Sequence, residues 1–434
     1  MQILVDSGCY DCVNMGDVAM LQVTLKRLCE FSPDAVVRVI TNNPECVTSL
    51  CPKAEPVPAS GKRSWLSDDH LPEYFKRLLP RPAAEQVVKL NRSLRSHWPV
   101  VFQSTLSLKR RLSGRDSEDV TDFLNAVERA NILLICGQGG LTDHAHSHAL
   151  QLLGLVEMAI RRRIPVAMVS QGIGPMKNIE LLSAARAILP HVELIALREN
   201  RAGLPLLARL GVDQSRVVTT GDDAIELAYE ARSMNPGDAL GINLRVARSS
   251  GVDHEFIPAF REVLVDFLNN HREAPLVPLP IGRGVASADC STLRHVLKGI
   301  DDRSDGGERL DTPLKVIQQT ARCRLVITGA YHAAVFALAQ GITTLCIAKS
   351  QYFIDKFLGL KAQFGAGCSV VFLDGPQVKD ELVASLERLW RASRDVRDPL
   401  QGAAWRQIGL GREAHRRIME SIAPRVSPSS AAAW

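Results

Sequence analysis

The chain begins Met-Gln-Ile-Leu-Val-Asp-Ser at residues 1–7, and residues 12–17 read Cys-Val-Asn-Met-Gly-Asp. The first stretch is an apolar run typical of a buried strand, and the residues that follow the second repeat apolar side chains at helical spacing as far as Phe31. The Gly-containing turn between them predicts backbone N–H groups at a helix N-terminus, an arrangement that binds phosphate. A further strand at residues 36–41 completes a β-α-β unit.

A second turn of this kind occurs in the other half of the chain, where Thr328-Gly-Ala-Tyr-His332 follows an apolar run and precedes a helical pattern. Strands that alternate with helices of this length indicate parallel sheets with right-handed crossovers. We therefore predict an α/β fold of two doubly wound, Rossmann-like domains, a GT-B-type architecture with an interdomain cleft as the default site. The predicted strands after the first unit lie at residues 132–136, 166–171, 194–197, 217–219, 240–244, 275–279, 324–328 and 343–348.

Breaks in the alternation suggest the domain boundaries. Asn235-Pro-Gly-Asp238 interrupts the pattern and a fresh strand follows it, so we predict an N-terminal domain at residues 1–235 and a C-terminal domain at residues 236–385. Residues 386–434 are predicted to form closing helices and a mobile tail. Within the first domain, residues 51–114 are irregular, with helical pieces around 71–79 and 84–94, and are interpreted as an insertion.

Composition excludes several classes of protein. The chain has 434 residues, of which 46% are apolar and 23% charged, so it is neither disordered nor fibrous. The net charge of +5 is scattered along the chain, which argues against a nucleic-acid partner. The ten Cys show no metal spacing and suit a reducing cytoplasm, and no apolar stretch approaches the ~20 residues of a membrane span. Peripheral membrane contact and a homo-oligomer stay open.

A series of short motifs carries a family resemblance. In chain order these are Asn14-Met-Gly-Asp17, Gly137-Gln-Gly-Gly-Leu141, Gln171-Gly-Ile-Gly-Pro175, Ala196-Leu-Arg-Glu199, Gly221-Asp-Asp-Ala224, Gly241-Ile-Asn-Leu-Arg245 and Gly329-Ala-Tyr-His332. Their order and spacing resemble the polysaccharide pyruvyl transferase family over residues 3–375, with residues 51–114 unmatched.

The resemblance implies a GT-B-like fold and a specific reaction. Family members transfer a pyruvyl group from phosphoenolpyruvate (PEP) to two hydroxyls of a sugar, forming a ketal in surface glycan biosynthesis. The resemblance implies no metal and no organic cofactor. It also implies a sugar acceptor, either linked to a nucleotide or lipid or part of a glycan, on the side of the N-terminal domain, with the donor phosphate on the C-terminal side.

His332 and Asp17 are the candidate catalytic residues. His332 follows a strand at a helix start, and an imidazole gives or takes a proton near neutral pH, so we predict that it is the acid that protonates the donor. A helix cap or a satisfied core histidine is the alternative. Asp17 is predicted to act as base on an acceptor hydroxyl or, equally, to cap the helix that it opens.

Several side chains are candidates for substrate binding. Arg198 follows a strand and could clamp a carboxylate or phosphate bidentately, or pair with Glu199 instead. Lys356 is interpreted as a phosphate contact or an exposed helix lysine. The remaining candidates are Asn14, Gly16, Gly139, Gly140, His144, Gln171, Asn243, Arg245, Gly329 and Tyr331.

One position departs from the family. The family usually has Arg two residues before the motif His, where this chain has Ala330, so Arg198, Arg245 or Lys356 would have to supply the missing charge for PEP. Two alternative functions therefore stay open. The first is a GT-B-like glycosyltransferase or sugar-modifying enzyme that uses a nucleotide sugar, and the second is a non-catalytic scaffold of a glycan assembly complex.

His144, His146 and His148 form a separate cluster. On the predicted helix that starts at His144, the first and third lie one turn apart, which is a metal-binding spacing. The only nearby carboxylate is Asp143, so we favour a helix start that lines the cleft and binds acceptor hydroxyls.

Overall fold

The computed structural model describes residues 1–67, 98–112, 118–284, 288–375 and 377–426, together with Gln86 and Arg95. The first half of this chain forms a seven-stranded sheet in the order β3-β2-β1-β4-β5-β6-β7, in which every pair of neighbours is parallel. Its strands are β1 (Gln2–Asp6), β2 (Val36–Thr41), β3 (Glu55–Pro58), β4 (Ile132–Ile135), β5 (Val166–Gln171), β6 (Leu194–Leu197) and β7 (Val217–Thr219).

The second half forms a five-stranded parallel sheet in the order β12-β11-β10-β8-β9. Its strands are β8 (Ala239–Asn243), β9 (Leu276–Pro278), β10 (Cys323–Thr328), β11 (Thr343–Ala348) and β12 (Cys368–Phe372). Two parallel α/β units in series confirm the predicted fold class, while the exact domain boundaries stay predictions.

Helices connect the strands and cover both sheets. In the described residues they are α1 (Met15–Phe31), α2 (Pro44–Leu50), α3 (Ala59–Leu66), α4 (Pro99–Leu112), α5 (Glu118–Glu128), α6 (His146–Arg161), α7 (Ile179–Ile188), α8 (Gly203–Arg209), α9 (Ala224–Glu230), α10 (Ile257–Asn270), α11 (Asp289–Leu297), α12 (Pro313–Thr320), α13 (Tyr331–Ala339), α14 (Gln351–Phe364), α15 (Val378–Ala392) and α16 (Arg397–Val426).

The irregular insertion is predicted to begin at residue 51, but regular elements of the first unit continue beyond that residue. Residues 55–58 form β3, which pairs with β2 at the edge of the first sheet, and α3 follows at once. The sequence Glu-Pro-Val-Pro hides this strand because proline donates no ladder hydrogen bond, which an edge strand tolerates. The predicted helical pieces around residues 71–79 and 84–94, and residues 427–434 of the predicted tail, lie outside the described residues, apart from Gln86.

A shared apolar core joins the two sheets. Every residue of α13 is buried, and this helix packs against α9 and α1 of the first unit as well as against its own sheet. The continuous apolar cluster includes Val5 and Leu25 from the first unit and Phe336 and Cys346 from the second. An interface this apolar fixes two domains relative to each other more firmly than a wet one.

The long helix α16 returns to the first unit and is held there by buried ions. Arg27 of α1 donates to Asp223 at 2.6 Å and to Glu226 at 2.8 Å, and all three side chains are almost fully buried. Arg412 of α16 joins the network through Glu226. The C-terminal segment therefore closes the structure by bridging both units.

The described part of the chain contains no helix that is both long and apolar enough to cross a bilayer. All ten cysteines are free thiols, and Cys136 and Cys346 are buried among apolar side chains.

Candidate active site

A cavity of about 230 Å³ opens between the two sheets. It lies where the carboxyl ends of strands from both units meet, which is the usual site of ligands in doubly wound folds. Nine of the residues predicted from the sequence line it, namely Asn14, Asp17, Gly139, Gly140, Arg198, Arg245, Tyr331, His332 and Lys356. Gly8, Gln138, Ser249, Ile281, Ala330, Tyr352 and Phe353 complete the lining.

Hydrogen bonds between the two units hold the cavity closed on one side. The amide of Met15 donates to the carbonyl of Ile281 at 2.9 Å, and the amide of Arg283 donates to the carbonyl of Val13 at 2.8 Å. Across the cavity, the Tyr352 hydroxyl donates to the Gly139 carbonyl at 3.0 Å. These contacts fix the loops that carry the site.

The two helix N-termini predicted to bind phosphate differ. The Asn14 side chain caps α1 by accepting from the amides of Gly16 and Asp17, so these amides are not free for a ligand. At α13, by contrast, Ala330 supplies no side-chain cap, and the helix opens directly into the cavity. Uncapped N–H groups and the helix dipole make the start of α13 the better suited of the two ends for an anion.

Asn14, and not Asp17, caps α1, so the alternative role of Asp17 as a helix cap does not apply. Its carboxyl group is half-buried in the first turn of α1 and lines the cavity. Burial raises the pKa of Asp17 above its ordinary value, and the nearby positive charges of His332 and Arg198 only partly offset that effect. A carboxylate of raised pKa is a stronger base near neutral pH.

His332 and Arg198 share one buried carboxylate, that of Asp222. The distance from Asp222 Oδ2 to His332 Nε2 is 3.5 Å, and the distance to Arg198 Nη1 is 3.6 Å. Burial alone would raise the pKa of Asp222, but the charges of His332 and Arg198 lower it below its ordinary value. Asp222 is therefore the ionised partner that orients both groups, a role that its motif in the sequence did not reveal.

The guanidinium of Arg198 is held against an aromatic ring, with donors left for a planar group such as a carboxylate. Its guanidinium lies 4.4 Å above the Tyr331 ring, is only 1% exposed, and its Nε makes no hydrogen bond within the described residues. The alternative pairing with Glu199 does not form, because the Glu199 carboxylate accepts from the backbone amides of Arg201 and Ala202. Arg198 thus keeps donors for a ligand.

Lys356 is buried, not exposed. Its ammonium lies 3.6 Å above the Tyr352 ring and makes no ion pair or hydrogen bond within the described residues. Gly139 allows this crowding, since a Cβ built there would lie 2.8 Å from Arg198 Nη2 and 3.0 Å from Lys356 Nζ. Burial and then the charge of Arg198 lower the pKa of Lys356 well below its ordinary value.

We expect Lys356→Met to melt about 1–3 °C above wild type at pH 6. Because the pKa of Lys356 is lower in the folded protein than in the unfolded chain, the unfolded chain binds more protons at this amine. The stability of the wild type therefore rises with pH, and the advantage of Met shrinks toward pH ~10. Thermal unfolding across pH measures it, with Lys361→Met on the exposed face of α14 as control. A lower melting temperature for Lys356→Met than for wild type at pH 6 would contradict the prediction.

Arg245 is held by a carboxylate that the sequence did not single out. Asp289 accepts from Arg245 at 3.0 Å and also from the Asn243 amide and from the backbone amides of Ile281 and Gly282. Asp289 therefore sets the position of the arginine and of the loop that touches Met15. Asn243 faces Asp289 and the Leu279 carbonyl instead of the cavity.

Four other predicted residues lie beside the cavity without lining it. The Gln171 amide donates to the backbone carbonyls of Cys136 and Val169 beneath the site. Gly16 lies directly under the His332 ring, and Gly329 packs against the Arg245 backbone. The His144 ring packs against the Tyr352 ring at a centroid distance of 5.3 Å, with the two planes tilted by 54°.

The three clustered histidines do not share the predicted helix. His144 lies in a 3₁₀ turn at Asp143–Ala145, and α6 begins at His146, so the one-turn spacing of His144 and His148 on a single helix is wrong. They contact different partners: His146 approaches Glu180 at 3.6 Å and His148 contacts Gln138 at 2.7 Å. No cluster of three potential metal ligands occurs among the residues that the structure describes.

The sequence and the fold each match known proteins. The model of the polysaccharide pyruvyl transferase family matches residues 14–351. A comparison with curated protein sequences finds no match.

Solved structures with the same fold are distant in sequence. A protein from Listeria monocytogenes assigned as a UDP-N-acetylglucosamine 2-epimerase is 12% identical, with a TM-score of 0.58, 98% of this chain and 96% of that chain covered. UDP-GlcNAc 2-epimerase from Neisseria meningitidis is 11% identical, with a TM-score of 0.53, and the match covers 98% of this chain and 100% of that chain. A glycosyltransferase from Rickettsia africae is 10% identical, with a TM-score of 0.50, and the match covers 97% of this chain and 98% of that chain. At such identities the likeness concerns the fold alone.

Proposed function

Because the chain belongs to the polysaccharide pyruvyl transferase family, we propose that it transfers the pyruvyl group of PEP to two hydroxyls of a sugar. The observation that carries the proposal is the buried amine of Lys356 beside Arg198 in the cavity, which has no ion pair or hydrogen bond among the described residues and would hold its proton more firmly next to an anion. Two cations this close repel each other unless an anion lies between them. PEP brings a carboxylate and a phosphate to such a place.

The cationic groups bear on the charge that Ala330 does not supply. Arg198, Lys356, Arg245 and the start of α13, which has no side-chain cap, all line the cavity, which supports the proposal that neighbouring elements replace the missing family arginine. In this arrangement the planar guanidinium of Arg198 suits the carboxylate. The N–H groups of α13 and the Lys356 ammonium suit the phosphate.

The reaction balances with two proton-transfer groups and no cofactor. A proton added to C3 of PEP makes the methyl group and leaves positive charge at C2, which the first hydroxyl attacks. The second hydroxyl then displaces phosphate, so one hydroxyl proton ends on C3 and the other on the released phosphate. Positioned acids and bases lower both barriers.

We assign the acid to His332 and the base to Asp17. His332 lies at the start of α13 and lines the cavity, and the Asp222 carboxylate lies 3.5 Å from its Nε2. Asp17 lies in the first turn of α1, and its raised pKa suits removal of a hydroxyl proton. We place the reaction in the cytoplasm, since ten free thiols suit a reducing compartment.

Incubation of the purified protein with PEP tests the proposal. We expect phosphate release that depends on a sugar acceptor and matches the loss of PEP, an enol phosphate, mole for mole. The acceptor screen should contain nucleotide sugars, lipid-linked sugars and short glycans. Colorimetric phosphate assay and mass spectrometry measure the two products, and a mass increase of the acceptor by one pyruvic acid less one water identifies the ketal.

Two outcomes would contradict the proposal. Stabilisation by a uridine or guanosine diphosphate sugar, with no binding of PEP, would favour a nucleotide-sugar enzyme on the same fold. Full cellular function of a His332→Ala variant would favour the non-catalytic scaffold. Both outcomes are visible without knowing the acceptor in advance.

A further inference from the structure

Gln138 is a buried side chain of the cavity that the catalytic assignment leaves unused. It follows β4, is 5% exposed, and lines the cavity. Its Oε1 lies 2.7 Å from His148 Nε2, and its Nε2 makes no hydrogen bond within the described residues. A buried amide with one unpaired polar atom is costly, so it indicates a ligand.

His148 fixes the direction of this amide. Burial and then the charge of Lys62 lower the pKa of His148 to about 4, so the imidazole is neutral at ordinary pH. A neutral ring that donates to Oε1 leaves the amide N–H₂ without a partner among the described residues, and the flipped amide would leave its oxygen unpaired instead. In either orientation the ring uses one end of the amide and leaves the other end free.

The surroundings of Gln138 differ from the anion-binding part of the cavity. A Cβ built on Gly140 would lie 2.6 Å from His148 and 2.7 Å from Gln138, whereas one built on the preceding Gly139 would face Arg198 and Lys356. The turn at 139–140 therefore separates a cationic part of the cavity from a hydrogen-bonding part at Gln138, near which the charges of Lys62 and Asp6 pair with each other. An anion prefers the first part, and a neutral polar group fits the second.

We propose that Gln138 binds a hydroxyl of the sugar acceptor and that His148 is its positioning residue. A hydroxyl both donates and accepts, so it satisfies the free end of the amide in either orientation. This inference rests on the proposed function and adds to it the place of the acceptor. The acceptor hydroxyl then lies across the Gly139–Gly140 turn from the donor phosphate.

Steady-state kinetics of Gln138→Leu test this inference. We expect the KM of the acceptor to rise about tenfold, while kcat and the KM of PEP stay within about threefold of wild type, because one neutral hydrogen bond is lost from the acceptor alone. Equal acceptor KM values for wild type and Gln138→Leu would overturn the inference. An increase in the KM of PEP of the same size as that of the acceptor would overturn it as well.

The two neighbouring histidines of α6 provide a matched pair for the positioning role. We expect His148→Ala to raise the acceptor KM about threefold or more with little change in kcat, since the amide is then free to rotate. His146→Ala, on the same helical turn but away from the cavity, should leave both constants unchanged. The same acceptor KM for both alanine variants would overturn the role of His148.

A binding measurement separates failure of this inference from failure of the proposed function. Methyl glucoside, methyl galactoside and methyl mannoside at about 100 mM serve as probes of the hydroxyl site in a thermal-shift assay without PEP. A shift in wild type that is lost in Gln138→Leu supports the site even if PEP is not a substrate. Equal shifts in both proteins, or none in either, overturn it, whereas absence of PEP turnover in wild type overturns only the donor.

Discussion

Replacing His332 by Gln is expected to lower kcat by about 10²–10⁴-fold while PEP still binds. Gln keeps a polar side chain of similar reach but cannot deliver a proton to C3 of the donor. The cations that bind the donor, Arg198 and Lys356, remain in place, so the melting temperature should still rise on addition of PEP. Single-turnover phosphate release and thermal shift measure the two effects on the same preparation.

Asp222→Asn serves as the companion variant for His332→Gln. It removes the negative charge behind the ring but leaves the ring itself, so we expect a smaller loss of kcat, about 10–100-fold. Because the same carboxylate also approaches Arg198 at 3.6 Å, PEP binding should change in Asp222→Asn and not in His332→Gln. Turnover of His332→Gln within tenfold of wild type would exclude the ring as the acid.

The fold could be predicted where the sequence pattern is long. Regular strands such as β5 and helices such as α10 carry enough periodic apolar residues to be recognised, and their alternation dictates parallel sheets. The elements that were missed are short or at an edge. β3 contains two prolines, β12 is a five-residue edge strand with an exposed Phe372, and α9 spans only Ala224–Glu230.

The site could be predicted in outline for a topological reason. Residues that follow parallel strands meet at one edge of their sheet, which places Arg245 with His332 in the second unit. Arg198 of the first unit joins them because the carboxyl ends of both sheets meet at the cavity. Which atoms pair inside that edge depends on contacts between distant elements. The sequence could not show that Asn14, and not Asp17, caps α1, or that Lys356 is buried against Tyr352.

Asp222 and Gln138 illustrate the same limit. Both lie in motifs whose order and spacing indicate the family, and neither motif shows where its polar side chain points. Asp222 gains its role only because α13 brings His332 within 3.5 Å of it from the other unit. Gln138 gains its role because His148, ten residues later, occupies one end of its amide.

The position of His332 depends on a residue without a side chain, Gly16 of α1. A Cβ built on Gly16 would overlap the Cγ and Nδ1 atoms of the imidazole, so α1 and α13 can approach this closely only with glycine there. The contact joins the first unit to the second beside the cavity. A methyl group at Gly16 therefore must displace either the ring or one helix.

We expect Gly16→Ala to lower kcat by about 10²-fold and the free energy of unfolding by about 1–3 kcal/mol. The rate falls because a displacement of the ring by about 1 Å moves the proton donor away from C3. The stability falls because the methyl group overfills a packed contact between the two units. Phosphate release and denaturant unfolding measure the two effects, and Gly409→Ala in α16, with no atom within 4 Å of the built Cβ, is the control.

A double variant separates this steric cause from a general effect of alanine in α1. In the His332→Ala background the ring is gone, so adding Gly16→Ala should cost little or no further stability, and the two substitutions should couple by at least about 0.5 kcal/mol. Gly409→Ala should be neutral or stabilising in both backgrounds, because alanine is the better helix former. Additive losses in the double variant would mean that Gly16 is needed for the backbone of α1 and not for the place of the imidazole.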